Sequence, residues 1–362
     1  MHQHSIKTSS NISTDESILE LLKNPETVVA LGVSGGKDSD AMTLETVQFL
    51  KKIGFRGEIC LIHSHLGLIE HAASLPQCER LSQKTGIELF VVEPPRSMLE
   101  VWEHRWSGIV DRFIKLERVK IITPWSNAQW RFCTKATKTA PLTQFLKRKY
   151  PNKTIINASG IRREESSSRA KRPVSRENPD LASVKLKTSG RDWFPIIDYK
   201  IEDVWQVHRK FNFPRHEAYD RGLSRVSCAF CVLASSNDIK VSLRDPRNRQ
   251  SFQRIVELEI KSGFSFRDQD WLADHGRALL TPLQLDRLAQ AKELMQKRKK
   301  LDQMISPELF LSRDGQLHPL TFEQAGTIAD YRQAVGALYQ ITPQYLTPEG
   351  VLERYGEVSL QK

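Results

Sequence analysis

Between residues 27 and 160 the chain alternates short apolar runs with longer helical stretches. Thr27–Val33, Glu58–His63, Glu88–Val92 and Thr154–Ala158 read as strands. Asp38–Lys52, Glu70–Thr85, Ser97–Leu116 and Lys138–Lys149 read as helices. Strands that alternate with helices join as a parallel sheet with helices on both faces, so an α/β fold is expected. Ligands of such sheets bind at the carboxyl ends of the strands. Two glycine-bearing segments, around Ser34–Ser39 and at Gly160, follow strand ends and are expected to meet there.

The first of these reads Ser34-Gly35-Gly36-Lys37-Asp38-Ser39. Glycine tolerates the positive φ of a sharp turn, and Asp38 and Ser39 suit a helix start. A glycine turn running into a helix N-terminus presents N–H groups to an anion. Taken alone it would be a plain strand-to-helix turn; the lysine and two hydroxyls beside the glycines favour a phosphate site. The segment is not the common ATP-binding loop, because Gly32 precedes Gly36-Lys37 by three residues instead of four and Asp38 follows the lysine. It also lacks the Gly-x-Gly-x-x-Gly of dinucleotide folds.

The 362 residues carry a formal net charge of +11, which suits a polyanionic partner or an anionic substrate as well as ordinary solubility. Lys147 to Arg176 holds ten Lys or Arg and two acids, Glu164 and Glu165. The Gln296–Lys300 run reads as a solvated helix end. The seven tryptophans show no regular spacing of a single-strand binding platform. No apolar run approaches the ~20 residues of a membrane span, and no secretory signal opens the sequence, so a cytoplasmic protein with no membrane partner is expected. Residues 1–26 read as a flexible lead-in, 171–195 as a long loop that is mobile or faces substrate, Ile201–Phe211 as a helix, and 241–362 as mainly helical.

The Ser-Gly-Gly-x-Asp-Ser stretch resembles the pyrophosphate-binding loop (PP-loop) of the adenine nucleotide alpha-hydrolase group, whose fold is Rossmann-like. Further segments resemble one branch, the phosphoadenosine phosphosulfate reductase family. They are Gly160-Ile161-Arg162-Arg163-Glu164-Glu165-Ser166 with Arg169, Cys133 with Lys138 and Pro141, FPIIDYKIEDVW, HEAYDRGLSRVSCAFC and RIVELEIKSGFSF. The likeness runs over about residues 27–270 and implies a PP-loop ATP pyrophosphatase domain over 27–240. By this resemblance Gly35, Gly36 and the helix start hold the β- and γ-phosphates of ATP, and Ser34 and Ser39 donate hydroxyl bonds. Lys37 adds charge, and Asp38 holds Mg2+ or orients the loop. Arg162 and Arg169 clamp a phosphate or the substrate anion. His63, Gly160, Glu165 and Ser166 complete the nucleotide set, with a plain salt bridge to Arg162 or Arg169 as the other reading of Glu165. Lys37, Asp38, Arg162 and Arg169 are the catalytic candidates. Relatives commonly carry Asp where this chain has His65, which lines the adenine pocket or only packs at a helix start.

Five cysteines without an export signal argue against a disulfide framework. Cys60 and Cys78 read as core thiols. Cys133, Cys228 and Cys231 bind a cluster or zinc, relay sulfur, or are three reduced thiols. An iron–sulfur cluster of four irons normally takes four thiolates, so the fourth ligand would be Cys78, a histidine such as His216, or external. No cysteine follows Cys231, where sulfonucleotide reductases carry their redox thiol, so reductase activity is not expected. The resemblance implies cleavage of ATP to AMP and pyrophosphate, adenylating an anionic acceptor for sulfur incorporation. In chain size, basic charge and the missing redox thiol the chain resembles the members that act in DNA phosphorothioation, which implies DNA, a cysteine desulfurase and other modification-system proteins as partners. The alternatives are a sulfate adenylyltransferase-like or tRNA-thiolating enzyme, and a non-catalytic nucleotide-sensing, DNA-binding subunit.

Overall fold

A computed structural model describes residues 6–7, 12–306, 309 and 320–360. Its centre is a six-stranded sheet: β1 (Thr27–Gly32), β2 (Glu58–Ser64), β3 (Leu89–Val92), β4 (Thr154–Ser159), β5 (Ser175–Glu177) and β6 (Ser189–Trp193), in the order β3-β2-β1-β4-β6-β5. All neighbours are parallel except the edge strand β5, which runs antiparallel to β6. The expected parallel α/β sheet is therefore present, and β1 lies at its centre.

Successive residues of a strand point to opposite faces, and both faces of β1 are covered. Val29, Leu31 and Val33 join one core with Leu61, Ile156 and Ala158. Val28 and Ala30 join the other, with Cys60, Ile62 and Ile155. This explains the near-continuous apolar run of β1, as for any strand buried on both sides. The first core also takes residues of α2 (Lys37–Lys52), such as Met42 and Leu44, and Leu81 of α3 (Ser74–Thr85). The second takes Leu146 of a helix over Ala140–Lys149.

The lead-in expected over 1–26 gives way where it is described. Glu16–Lys23 is a helix capped by the Asp15 side chain, and Ile12 and Ile18 are fully buried in the first core. The loop expected over 171–195 also gives way: β5 and β6 lie there. Asp192 of β6 accepts from Asn157 at 2.9 Å and Asn178 at 2.8 Å and pairs with Arg176 at 2.9 Å. A polar ladder of this kind replaces the apolar alternation by which a strand is ordinarily read.

The chain divides into two compact units, Met1–Met98 with Ala128–Gln250, and Leu99–Asn127 with Ser251–Lys362. This differs from the division expected at 240, because the helix Met98–Ile114 lies almost wholly in the second unit. There Trp102, Trp125 and Phe266 stack edge-to-face with centroids 5.1–5.7 Å apart, so these tryptophans form a core and not a surface platform. Long helices dominate the rest of the unit, over Pro282–Asp302, Phe322–Tyr339 and Pro348–Leu360. In the basic run 296–300 only part is solvated: Arg298 is buried, over the Phe264 ring at 3.8 Å and paired with Asp302 at 2.7 Å.

Candidate nucleotide site

The Ser34–Ser39 turn sits at the carboxyl end of the central strand, where β1 hands over to α2. Gly35 adopts φ +71°, and a Cβ there would lie 2.8 Å from the Ser74 carbonyl oxygen, so both conformation and space require glycine. The Ser34 N–H donates to Ser39 Oγ at 3.3 Å, and Ser39 Oγ donates to the Gly36 carbonyl at 2.8 Å, which ties the turn to the first turn of the helix. Gly36 at the N-cap offers the start of α2 no side-chain cap of its own, and a tyrosine hydroxyl from far along the chain takes the Lys37 N–H, leaving the next N–H groups as the kind that accept an anion.

Gly160 follows β4, which pairs with β1. A Cβ on Gly160 would stand 2.5 Å from the Asp38 carbonyl oxygen, so this glycine permits the approach of the two strand ends. The approach brings Arg162 onto the loop. Its Nε donates to Asp38 Oδ1 at 2.7 Å, while Lys37 Nζ donates to Asp38 Oδ2 at 3.0 Å. Asp38 thus holds two cations at once. Arg162 is buried at 5 % exposure; burial works against its charge, but Asp38 and Glu164 outweigh it and keep it a firm cation. Of the two roles the sequence leaves open for Asp38, the arrangement favours orientation. Each carboxylate oxygen already accepts from one base, and a Mg2+ ion would have to share an oxygen with it.

The other segment residues serve Arg162. Glu165 accepts from the Arg162 backbone N–H at 2.9 Å and forms an ion pair with Arg169. Arg169 is therefore held by Glu165, and Ser166 accepts from the Arg169 N–H at 3.2 Å as the cap of a short turn. Arg169 and Ser166 do not join the Lys37–Asp38–Arg162 group in this arrangement.

Sequence reading missed Tyr219 and His208. The Lys37 N–H donates to the Tyr219 hydroxyl at 3.0 Å, and Lys37 Nζ stands 5.4 Å from the centre of its ring. His208 Nε2 lies 3.1 Å from the Lys37 carbonyl oxygen. These residues brace Lys37 from segments more than 170 positions away, and the only signal available was Tyr219's place inside the HEAYDRGLS segment.

His63, the last residue but one of β2, lies beside the loop. Its Nδ1 lies 3.0 Å from the Val33 carbonyl oxygen and its Nε2 3.0 Å from Glu70 Oε1. His65 Nδ1 lies 3.0 Å from Glu70 Oε2. Burial opposes a charge on His63, but Glu70 and the Val33 carbonyl prevail and raise its pKa above the ordinary value. Glu70, in turn, is held below the usual carboxylate range by His63 and the Leu66 N–H despite its burial.

The three cysteines are neighbours in charge. Burial pushes the Cys228 thiol up to about 11; Lys138 works against this, and Cys231 and Cys133 add to it. Cys231 Sγ accepts from the Leu233 N–H at 3.4 Å. Among the described residues no trio of cysteine sulfurs lies within 4.8 Å of one another. Of the fourth ligands left open, Cys78 is fully buried in the first core, and His216 accepts from the Ala218 N–H at 3.0 Å through Nδ1 with Nε2 3.3 Å from Ser74 Oγ, while an external ligand is touched by neither fact.

A parallel sheet with this loop at its central strand end defines a Rossmann-like nucleotide-handling protein. The model of the phosphoadenosine phosphosulfate reductase domain matches residues 28–234, and the chain belongs to that family. Members of the family are enzymes that act on nucleotide and sulfur substrates. An uncharacterised protein of Methanocaldococcus jannaschii is 26 % identical over 225 residues, 62 % of this chain and 46 % of that protein. An adenosine 5'-phosphosulfate reductase of Oceanobacillus iheyensis is 32 % identical over 74 residues, 20 % of this chain and 28 % of that protein. The chain thus spans less than half the length of these relatives. Among solved structures, a phosphoadenylyl-sulfate reductase from Candida auris in a phosphate complex is 13 % identical with a TM-score of 0.37, covering 62 % of this chain and 98 % of that one. A U34-tRNA thiolase from Methanococcus maripaludis with its [4Fe-4S] cluster is 14 % identical with a TM-score of 0.35, covering 76 % and 75 %.

Proposed function

We propose that the chain is an ATP pyrophosphatase that adenylates an anionic acceptor for sulfur incorporation, and that the acceptor is the DNA backbone. The observation that carries this reading is the Lys37–Asp38–Arg162 group, set at a helix start beside two glycines that let backbone come close. The helix start and the glycine turn bind the β- and γ-phosphates. Lys37 and Arg162, fixed by Asp38 before substrate arrives, offset the charge that builds as pyrophosphate leaves. An acceptor phosphate oxygen attacks the α-phosphorus and pyrophosphate leaves; the terminal sulfur of a persulfide from a cysteine desulfurase partner then displaces AMP, and a reducing thiol cleaves the S–S bond to leave the sulfur on the acceptor. Positioning and charge neutralisation do this work without a protein nucleophile. Mg2+ would arrive with the nucleotide and neutralise phosphate charge.

The net charge of +11 supports a polyanionic acceptor. The basic stretch contributes less than its count implies, since Lys153, Arg162, Arg163, Arg169 and Arg176 are each paired with an acid. Arg148 and Lys171 remain exposed within it. The test is pyrophosphate release with and without duplex DNA, with binding read by fluorescence anisotropy as salt is raised. Release stimulated by DNA, with affinity falling steeply with salt, is expected. Release indifferent to DNA would exclude it as acceptor, and tighter binding and stimulation by RNA would move the acceptor to tRNA.

A further inference from the structure

We propose that His63, His65 and Glu70 form a binding site for one divalent transition-metal ion of the zinc type, with a coordination position left open. The site is distinct from the three cysteines and does not depend on the pyrophosphatase reading.

The backbone sets the donors on one side. His63 is the last residue but one of β2 and His65 follows it by two positions, so an extended chain sends both imidazoles to the same face. The chain then turns through Gly67–Ile69 and returns Glu70 to that face, where Glu70 Oε2 accepts from the Leu66 N–H at 2.9 Å. One ligand atom from each of the three residues lies within 4.8 Å of the others, the only such trio of His, Cys, Asp or Glu among the described residues. The two nitrogen–oxygen separations, each 3.0 Å and each to a different oxygen of Glu70, are a little shorter than the roughly 3.3–3.6 Å edge of a tetrahedron with metal–ligand bonds of about 2.0–2.2 Å, so the donors would open slightly around the ion.

His63 carries the second observation. Its Nε2 is buried and makes no well-aligned hydrogen bond, although Glu70 Oε1 stands 3.0 Å away. Its other nitrogen faces the Val33 carbonyl at 3.0 Å. A proton on Nδ1 directed at that carbonyl leaves the Nε2 lone pair for a metal, the outer-sphere contact by which ligating imidazoles are commonly fixed. Two imidazoles and one carboxylate are donors of the borderline type that zinc takes, and three protein ligands leave a position for water or substrate. Access is from the His65 side, which is one-third exposed while His63 and Glu70 are nearly closed off. Val33 immediately precedes Ser34, so the ion would abut the phosphate loop.

The rival is a buried ion pair with doubly protonated His63 and no metal. Chelator-stripped full-length protein titrated with Co2+ separates the two, read by visible absorption and by isothermal titration with Zn2+. One equivalent with the absorption of a tetrahedral nitrogen–oxygen site is expected. His65→Ala should weaken it by at least about 100-fold, the scale reached even by loss of an outer-sphere partner. Glu70→Gln should do the same, and replacing Cys133, Cys228 and Cys231 by serine should leave it intact. Should the triple replacement fail to fold, absence of thiolate-to-cobalt charge transfer in the unreplaced chain serves the same purpose. No uptake, uptake unchanged in His65→Ala and Glu70→Gln, or a thiolate band that accounts for all the metal would overturn the proposal.

Discussion

Asp38 shows what a single carboxylate does when its charge is shared between two bases. It fixes Lys37 and Arg162 before any phosphate enters, and Tyr219 and His208 fix the backbone of Lys37 from behind. Lys37, Asp38 and Arg162 were legible because their segments are short and their residue types match anion chemistry. Tyr219 and His208 were not, since a brace is defined by contacts across the fold and not by a local pattern. Two residues on, Asp40 is fully buried, hydrogen-bonded at 3.0 Å by Gln77, and pushed up to about 7 by that burial, which the Gln77 bond only partly offsets. The folded protein then holds a proton that the unfolded chain gives up near the ordinary value of 3.8. Between about pH 4 and 7 the native state binds more protons, so stability falls as pH rises through that window. Asp40→Asn should remove this dependence. In urea unfolding, its stability relative to the parent should rise from pH 5 to pH 8, by of the order of 2–4 kcal/mol for a shift of this size. A constant difference across that range would show that Asp40 ionises normally.

The start of α2 and the end of β4 are the elements that make the site, and Gly160 is the point where they touch. Gly160→Ala should force the Asp38 backbone away, since the nearest atoms belong to main chain and not to a flexible side chain. A cost of about 1–3 kcal/mol is expected from overpacking, together with weaker nucleotide binding as Lys37 and Arg162 lose register. Gly108→Ala is the control: nothing lies within 4 Å of its Cβ position in the helix Met98–Ile114. That change should leave nucleotide binding alone and raise stability by about 0.5–1 kcal/mol. Equal effects in melting and in nucleotide titration would remove the special role of Gly160. The same scale shows where sequence reading fails. The strands β1 to β4 were legible as apolar runs buried on one or both faces. The strands β5 and β6 were not, because they are held at the sheet edge by an Asp192-centred polar ladder. The helix over Glu16–Lys23 was hidden behind a polar opening, and its burial rests on Ile18 and Leu22, with Leu19 and Leu21 partly buried beside them.

At the scale of the molecule, the fold class and the family were readable, and the division of the chain was not. The helix Met98–Ile114 follows β3 in sequence as a crossover helix would, yet it belongs to the second unit, where Trp102 meets Trp125 and Phe266. Long-range aromatic packing of that sort leaves no period in the sequence. Net charge was readable too, but its distribution was not, because ion pairing within the Lys147–Arg176 stretch is set by which acids the fold brings near. No helix among the described residues is long and apolar enough to cross a membrane. The central claim is that the loop between β1 and α2 directs cleavage at the α-phosphate. The most direct measurement is product analysis of α-labelled ATP incubated with the full chain, Mg2+ and duplex DNA. The account predicts labelled AMP, or label transferred to the acceptor, with pyrophosphate released in equal amount and all of it lost in Asp38→Ala. Labelled ADP with inorganic phosphate would contradict it.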